Sequence, residues 1–141
     1  MAGSEAMQVL ERLFEAYDDK DFAKYAELLS PDMVWEFNTM QEPMRGPEAE
    51  MRTLRMVADA FPDANLSRDY FVEDGTGWVA WRWRLKATNT GPWQGHESTG
   101  RSIEIVGATH ARVAGGRVLE LRYVSDRLTL MQQLGLLPTS N

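Results

Sequence analysis

Trp78 to Thr88 reads WVAWRWRLKAT, and its alternation decides the fold class. Val79, Trp81, Trp83 and Leu85 share one face of an extended chain. Ala80, Arg82, Arg84 and Lys86 share the other, because successive side chains on a strand point to opposite sides. A strand with one apolar and one charged face suits an antiparallel sheet covered on one side. Upstream, Glu73-Asp74-Gly75-Thr76-Gly77 has the glycines of a hairpin turn, and Asn65 to Val72 reads as the other arm. Downstream come a long Gly-containing connection (Asn89 to Gly100), a strand (Arg101 to Val113), a turn (Ala114 to Arg117) and a last strand (Val118 to Ser125).

The first half of the chain has a different period. Met7, Leu10, Leu13, Phe14 and Tyr17 recur at spacings of three and four, the apolar stripe of a helix, with Ser4 placed to cap it. Asp21 caps a second helix, Phe22 to Leu29, with Phe22, Tyr25, Leu28 and Leu29 inward, and Ser30-Pro31-Asp32 stops it. Met33 to Phe37 is a short strand-like run, and Asn38 to Gly46 a Met- and Pro-containing loop. Pro47 opens a third helix to Phe61, with Met51, Leu54, Val57, Ala58 and Phe61 as its stripe. Three helices followed by an antiparallel meander predict an α+β fold with helices on one sheet face. The space between them is the default ligand pocket.

The composition narrows the function. A chain of 141 residues suffices for one domain with a real core. A net charge of −6 argues against nucleic acid and against an anionic membrane as partner. Cys is absent and His occurs twice, so thiol chemistry and thiolate zinc sites are excluded, and no metal-ligand spacing is recognisable. The N-terminus lacks the basic and apolar regions of a signal peptide, which makes cytoplasmic location the expectation.

Asp126 stands where the last strand leaves the sheet, followed by the apolar Leu128, Leu130, Met131 and Leu134. Two readings are open. Apolar surroundings would raise its pKa and poise it for proton transfer near neutral pH. Alternatively it caps the next helical turn, as Asp often does. His110, mid-strand, either faces the pocket and assists Asp126 or is a half-buried sheet histidine; the pocket-facing reading is preferred. Trp35, Trp81, Trp83 and Trp93 either stack on a flat ligand or fill the core. Asn38, at a strand end, either binds a carbonyl or water or forms a local turn.

Several stretches resemble the SnoaL-like polyketide cyclase family of the nuclear transport factor 2-like superfamily. Gly91 to Arg101 (GPWQGHESTGR) resembles its spaced glycines followed by Thr-Gly-Arg. Gly116-Arg117-Val118-Leu119-Glu120 resembles its hairpin, and Asp126 followed by Gln133-Leu134-Gly135 its catalytic Asp and tail. Phe61-Pro62-Asp63 resembles its step after the third helix. The resemblance implies one SnoaL-like domain over residues 1–141, a cone-shaped barrel of a curved, mainly antiparallel sheet on three N-terminal helices, and a homodimer. It implies a cofactor-independent enzyme of antibiotic-type biosynthesis that closes a ring by intramolecular aldol addition of a polyketide-like, apolar substrate. Asp126 and His110 are then the catalytic candidates. Tyr17, Trp35, Phe37, Asn38, Trp81, Trp83 and Tyr123 are the candidate substrate contacts. The stretch Trp35 to Met40 also resembles limonene-epoxide hydrolase-like relatives, in which a polar residue here helps position a water and an Asp-Arg-Asp set is also needed; Arg82 or Arg84 with Asp126 would supply part of that set. A binding module without chemistry is the third reading.

Overall fold

The structure is a computed structural model, and residues 3–138 are described. Helices α1 (Glu5–Asp18) and α2 (Phe22–Glu27) are followed by strand β1 (Leu29–Phe37), the short β2 (Met44–Arg45) and helix α3 (Pro47–Ala60). Strands β3 (Asn65–Glu73), β4 (Trp78–Thr88), β5 (Ser102–Ala114) and β6 (Arg117–Ser125) then run as a meander into helix α4 (Arg127–Gln133). The sheet order is β2-β1-β6-β5-β4-β3. Every pairing is antiparallel except β1 with β6, which places Trp35 opposite Leu121 and Phe37 opposite Tyr123. This is the expected α+β architecture. The six strands form one curved sheet that is not closed, with β2 and β3 at its edges. Register shifts in β3 and near Arg112 and Val113 bend it, as β-bulges do.

The element boundaries differ from the sequence reading mainly before α3. Pro31 does not end a helix there; α2 stops at Glu27, and β1 already begins at Leu29. Leu29 pairs with Val118 of β6 and Val118 N–H donates to the Leu28 carbonyl, so a partner 90 residues away decides that boundary. Helix α1 follows its stripe, burying Leu10 and Leu13, and Ser4 caps it by accepting from Met7 N–H at 3.1 Å. On the sheet, Val79, Trp81 and Trp83 are buried on the concave face. Arg82 and Arg84 lie on the convex face, where they bond Asp69 and Glu104 at 2.9–3.0 Å.

The connection from Asn89 to Gly100 is pinned from within. Asn89 is fully buried. Its amide donates to the carbonyls of Ala60 (3.3 Å) and Gly91 (2.9 Å), while its Oδ1 accepts from Thr99 N–H (2.8 Å) and Thr99 Oγ1 (3.1 Å). Gly91 lies so close to α3 that a Cβ there would sit 2.1 Å from the Asp59 carbonyl oxygen. Asn89→Ala leaves these partners unsatisfied in a dry site, so the expected loss is about 2–4 kcal/mol in urea unfolding. An unchanged midpoint would show that the loop is held by other means.

Candidate functional site

Between the concave face of the sheet and helices α1 and α3 lies a cavity of about 420 Å³. Its wall is mainly apolar: Leu13 and Phe14 from α1, Leu54 and Val57 from α3, Trp81, Trp83 and Leu85 from β4, and Ile103 and Ile105 from β5. Against that background one carboxylic acid stands out. Glu50, in the first turns of α3, lines the cavity and is 2% exposed. Its Oε1 accepts from Tyr123 OH at 2.7 Å and from Tyr25 OH at 3.0 Å. Its Oε2 has no hydrogen-bond partner.

Three elements therefore converge on one carboxyl group: α2 through Tyr25, α3 through Glu50 and β6 through Tyr123. Burial disfavours the charged form and raises the Glu50 pKa from its ordinary 4.5 to about 7, against the opposing pull of the two tyrosine hydrogen bonds. Burial likewise pushes Tyr25 and Tyr123 well above the usual tyrosine value, with the neighbouring Glu50 charge adding to the effect. Both hydroxyls thus stay protonated as donors. Phe37 stacks on Tyr123 with ring centroids 4.8 Å apart and steadies that hydroxyl. Two half-buried arginines share the wall: Arg127 donates to Gln94 Oε1, and Arg68 is engaged by Asp18. Arg68 holds Asp18 through both terminal nitrogens at 3.0 and 3.1 Å and lies over the Phe14 ring at 4.4 Å.

The expected site residues separate into two groups. Tyr17, Phe37, Trp81, Trp83 and Tyr123 all line the cavity. The others do not. Asp126 is not a buried acid with a raised pKa: it is exposed and N-caps α4. The Thr129 hydroxyl (2.6 Å) and the Thr129 N–H (3.0 Å) donate to its carboxylate and hold its pKa below the usual range. His110 is exposed on the convex face opposite Arg122, because the inward set on β5 is Ile103, Ile105, Thr109 and Ala111. It cannot assist from there. Trp35 is buried in the core behind the cavity wall rather than on it. Asn38 is exposed, and its Oδ1 accepts from Ser125 N–H at 3.1 Å, tying β1 to the end of β6. The partial Asp-Arg-Asp set also dissolves, since Arg82 and Arg84 point away from the cavity into surface ion pairs.

Glu50 escaped the sequence reading, yet a signal exists. It precedes Leu54, Val57 and Phe61 by four, seven and eleven residues, so it sits on the apolar face of α3. An acid in phase with an apolar stripe is a burial signal. Among the described residues, no group of three His, Asp or Glu side chains comes together as a metal cluster, and no helix is long and apolar enough to cross a membrane.

A family model of SnoaL-like polyketide cyclases matches residues 7–134. The chain belongs to that family. Solved structures of its SnoaL-like and nuclear transport factor 2-like neighbours have the same frame. A candidate SnoaL-like polyketide cyclase of Jannaschia sp. CCS1 superposes with a TM-score of 0.85 at 21% identity, over 98% of this chain and 99% of that one. AclR of Streptomyces galilaeus, described as a candidate hydroxylase, gives 0.84 at 24% identity over 97% and 85%. An LEH-like epoxide hydrolase of M. tuberculosis gives 0.71 at 18% identity over 92% and 89%. A search of curated proteins finds no significant match. Three differently described activities on one frame mean that the reaction of this SnoaL-like protein has to be argued from its own cavity.

The Glu50 shift has a measurable consequence for stability. The folded pKa lies above the unfolded one, so folding gains from this group while it is protonated and loses that gain as pH rises from about 4.5 through 7. Asp63, Asp69, Asp74 and Asp126 are shifted downward, so their contributions change only in more acid solution. Between pH 5 and 8 the wild type is expected to lose about 2–3 kcal/mol of urea-unfolding stability that Glu50→Gln does not lose. Parallel stability profiles for the two proteins would remove the case for a raised Glu50 pKa.

Proposed function

We propose that this protein is a cofactor-independent enzyme that closes a carbon ring by intramolecular aldol addition within an apolar carbonyl substrate, with Glu50 as its acid and base. The observation that carries the reading is the buried Glu50 carboxyl, bonded on one oxygen by Tyr25 and Tyr123 and unpartnered on the other. A carboxyl with a pKa of about 7 is part ionised and part protonated at neutral pH, which suits one group to both halves of a proton shuttle. The carboxylate takes a proton from a carbon beside a carbonyl. The enolate carbon then bonds to a second carbonyl carbon of the same molecule, and Glu50 returns the proton to the new alkoxide. One C–H bond and one C=O π bond are lost, one C–C bond and one O–H bond form, and nothing else is consumed. Tyr25 and Tyr123 stabilise the carboxylate while it waits for that return.

The apolar wall supports the substrate class. Trp81, Trp83 and Phe37 present aromatic surface, and Tyr17 a hydroxyl, to whatever the cavity encloses. A concave apolar wall also holds two carbonyls of one chain together. Epoxide opening, the alternative, has less support, because among the described residues no aspartate lines the cavity.

Glu50→Gln keeps the size and most hydrogen bonds of the side chain, so it is expected to remain folded and lose about 10²–10⁴-fold in turnover of a polycarbonyl substrate. Asp126→Ala is expected to keep turnover and lose only about 1 kcal/mol of stability, the worth of a helix cap. The reverse pattern would return the catalytic role to Asp126. Turnover in labelled water separates the two reactions: stoichiometric uptake of oxygen-18 into the product would mark epoxide opening instead.

A further inference from the structure

Two residues that line this cavity each hold a buried polar atom without a partner, and the two atoms are of opposite kind. Glu50 Oε2 is an acceptor; the indole Nε1–H of Trp93 is a donor. Trp93 is 7% exposed. Of the other cavity tryptophans, Trp83 shows the ordinary arrangement: its N–H donates to Thr109 Oγ1 at 3.0 Å. The Trp35 indole N–H is also unpartnered, away from the wall; the Trp93 N–H differs in belonging to a residue that lines a space a ligand can fill, where a buried donor gains by finding an acceptor.

The indole is held as an anchor would be. Trp93 and His96 exchange two backbone hydrogen bonds (2.9 and 2.8 Å), and the Asn89 network and the tight passage of Gly91 over Asp59 fix the approach to that turn. Its ring packs edge-on against Phe61, with centroids 5.4 Å apart. Phe61, the C-cap of α3, follows Glu50 by eleven residues, about 16 Å along the helix at 1.5 Å per residue. The Trp93 ring therefore lies at the opposite end of α3 from Glu50, with Leu54 and Val57 of the cavity wall between them along the helix.

Resting on the reading of Glu50 as the proton-transfer group, we infer that Trp93 Nε1–H binds a carbonyl oxygen of the substrate remote from the reacting carbon. The substrate class is then narrower than an apolar carbonyl compound. It is an elongated, largely flat molecule with an oxygen acceptor at the far end and its acidic C–H at the Glu50 end. Trp93 is a positioning residue: it sets which end of the molecule enters first and so which carbon meets the base.

The test needs no turnover. 2-Acetylnaphthalene and 2-ethylnaphthalene are nearly isosteric and differ in the carbonyl. Each is titrated into ¹⁵N-labelled protein at pH 8, where Glu50 is largely ionised and cannot donate to a ketone. The expected result is a downfield movement of the Trp93 indole N–H with the ketone alone, while the Trp35 N–H, buried outside the cavity wall, stays in place. Trp93→Phe is expected to weaken the ketone about tenfold and leave the hydrocarbon unchanged. No binding of the ketone up to its solubility limit, an equal N–H shift with both ligands, or an equal affinity loss for both overturns the inference. The wild-type spectrum answers even if Trp93→Phe folds poorly. Glu50→Gln separates this inference from the proposed function. If that variant loses turnover while wild-type Trp93 N–H ignores the ketone, the catalytic reading stands and the anchor fails. If the N–H responds while Glu50→Gln keeps turnover, the anchor stands and the role of Glu50 fails.

Discussion

A carboxyl group shut behind an apolar wall needs donors, and the placement of those donors organises this molecule. Glu50 finds two, Tyr25 and Tyr123, on a short helix and on the last strand. Satisfying one oxygen ties α2, α3 and β6 to a common point at one end of the cavity. The other oxygen is left unpartnered. The tyrosine hydrogen bonds favour the carboxylate and burial favours the acid; burial wins, so the group titrates near neutrality.

The cavity itself follows from the division of the sheet into two faces. The convex face spends its charges in pairs, Arg82 with Asp69, Arg84 with Glu104, and Arg122 between Glu36 and Glu120. The concave face keeps its aromatic rings for the interior. The sheet curves without closing, and a hollow of about 420 Å³ remains between it and the helices. Within it, the charged residues are Glu50, the Asp18-bound Arg68 and Arg127, which donates to Gln94. In so apolar a space, each unsatisfied polar atom weighs heavily in what will bind.

Much of this was legible along the chain. The alternation of Trp78 to Thr88 predicts which residues face inward, and Trp81 and Trp83 do line the cavity. The stripes of α1 and α3 are visible as spacings. The motifs in Gly91 to Arg101 and Gly116 to Glu120 point to the SnoaL-like family, in agreement with the match over residues 7–134. The structure departs from the sequence reading in the surroundings of Asp126 and His110, which are both exposed. Asp126 has a cap acceptor's chemistry as well as an acid's, and only the position of Thr129 decides between them. His110 was one residue out of phase, and on a strand one residue is the difference between cavity and solvent.

By itself, the amino-acid sequence determined the element types, their order and the two-faced character of the sheet, because those depend on periodicity and turn chemistry over a few residues. The tertiary structure alone decided that β1 lies parallel to β6, that Tyr25, Glu50 and Tyr123 meet, and that Trp93 faces the same cavity as Glu50 without a partner for its N–H. These join residues separated by 25 to 98 positions along the chain. Such contacts depend on how curved layers close over one another, and no local pattern carries that information.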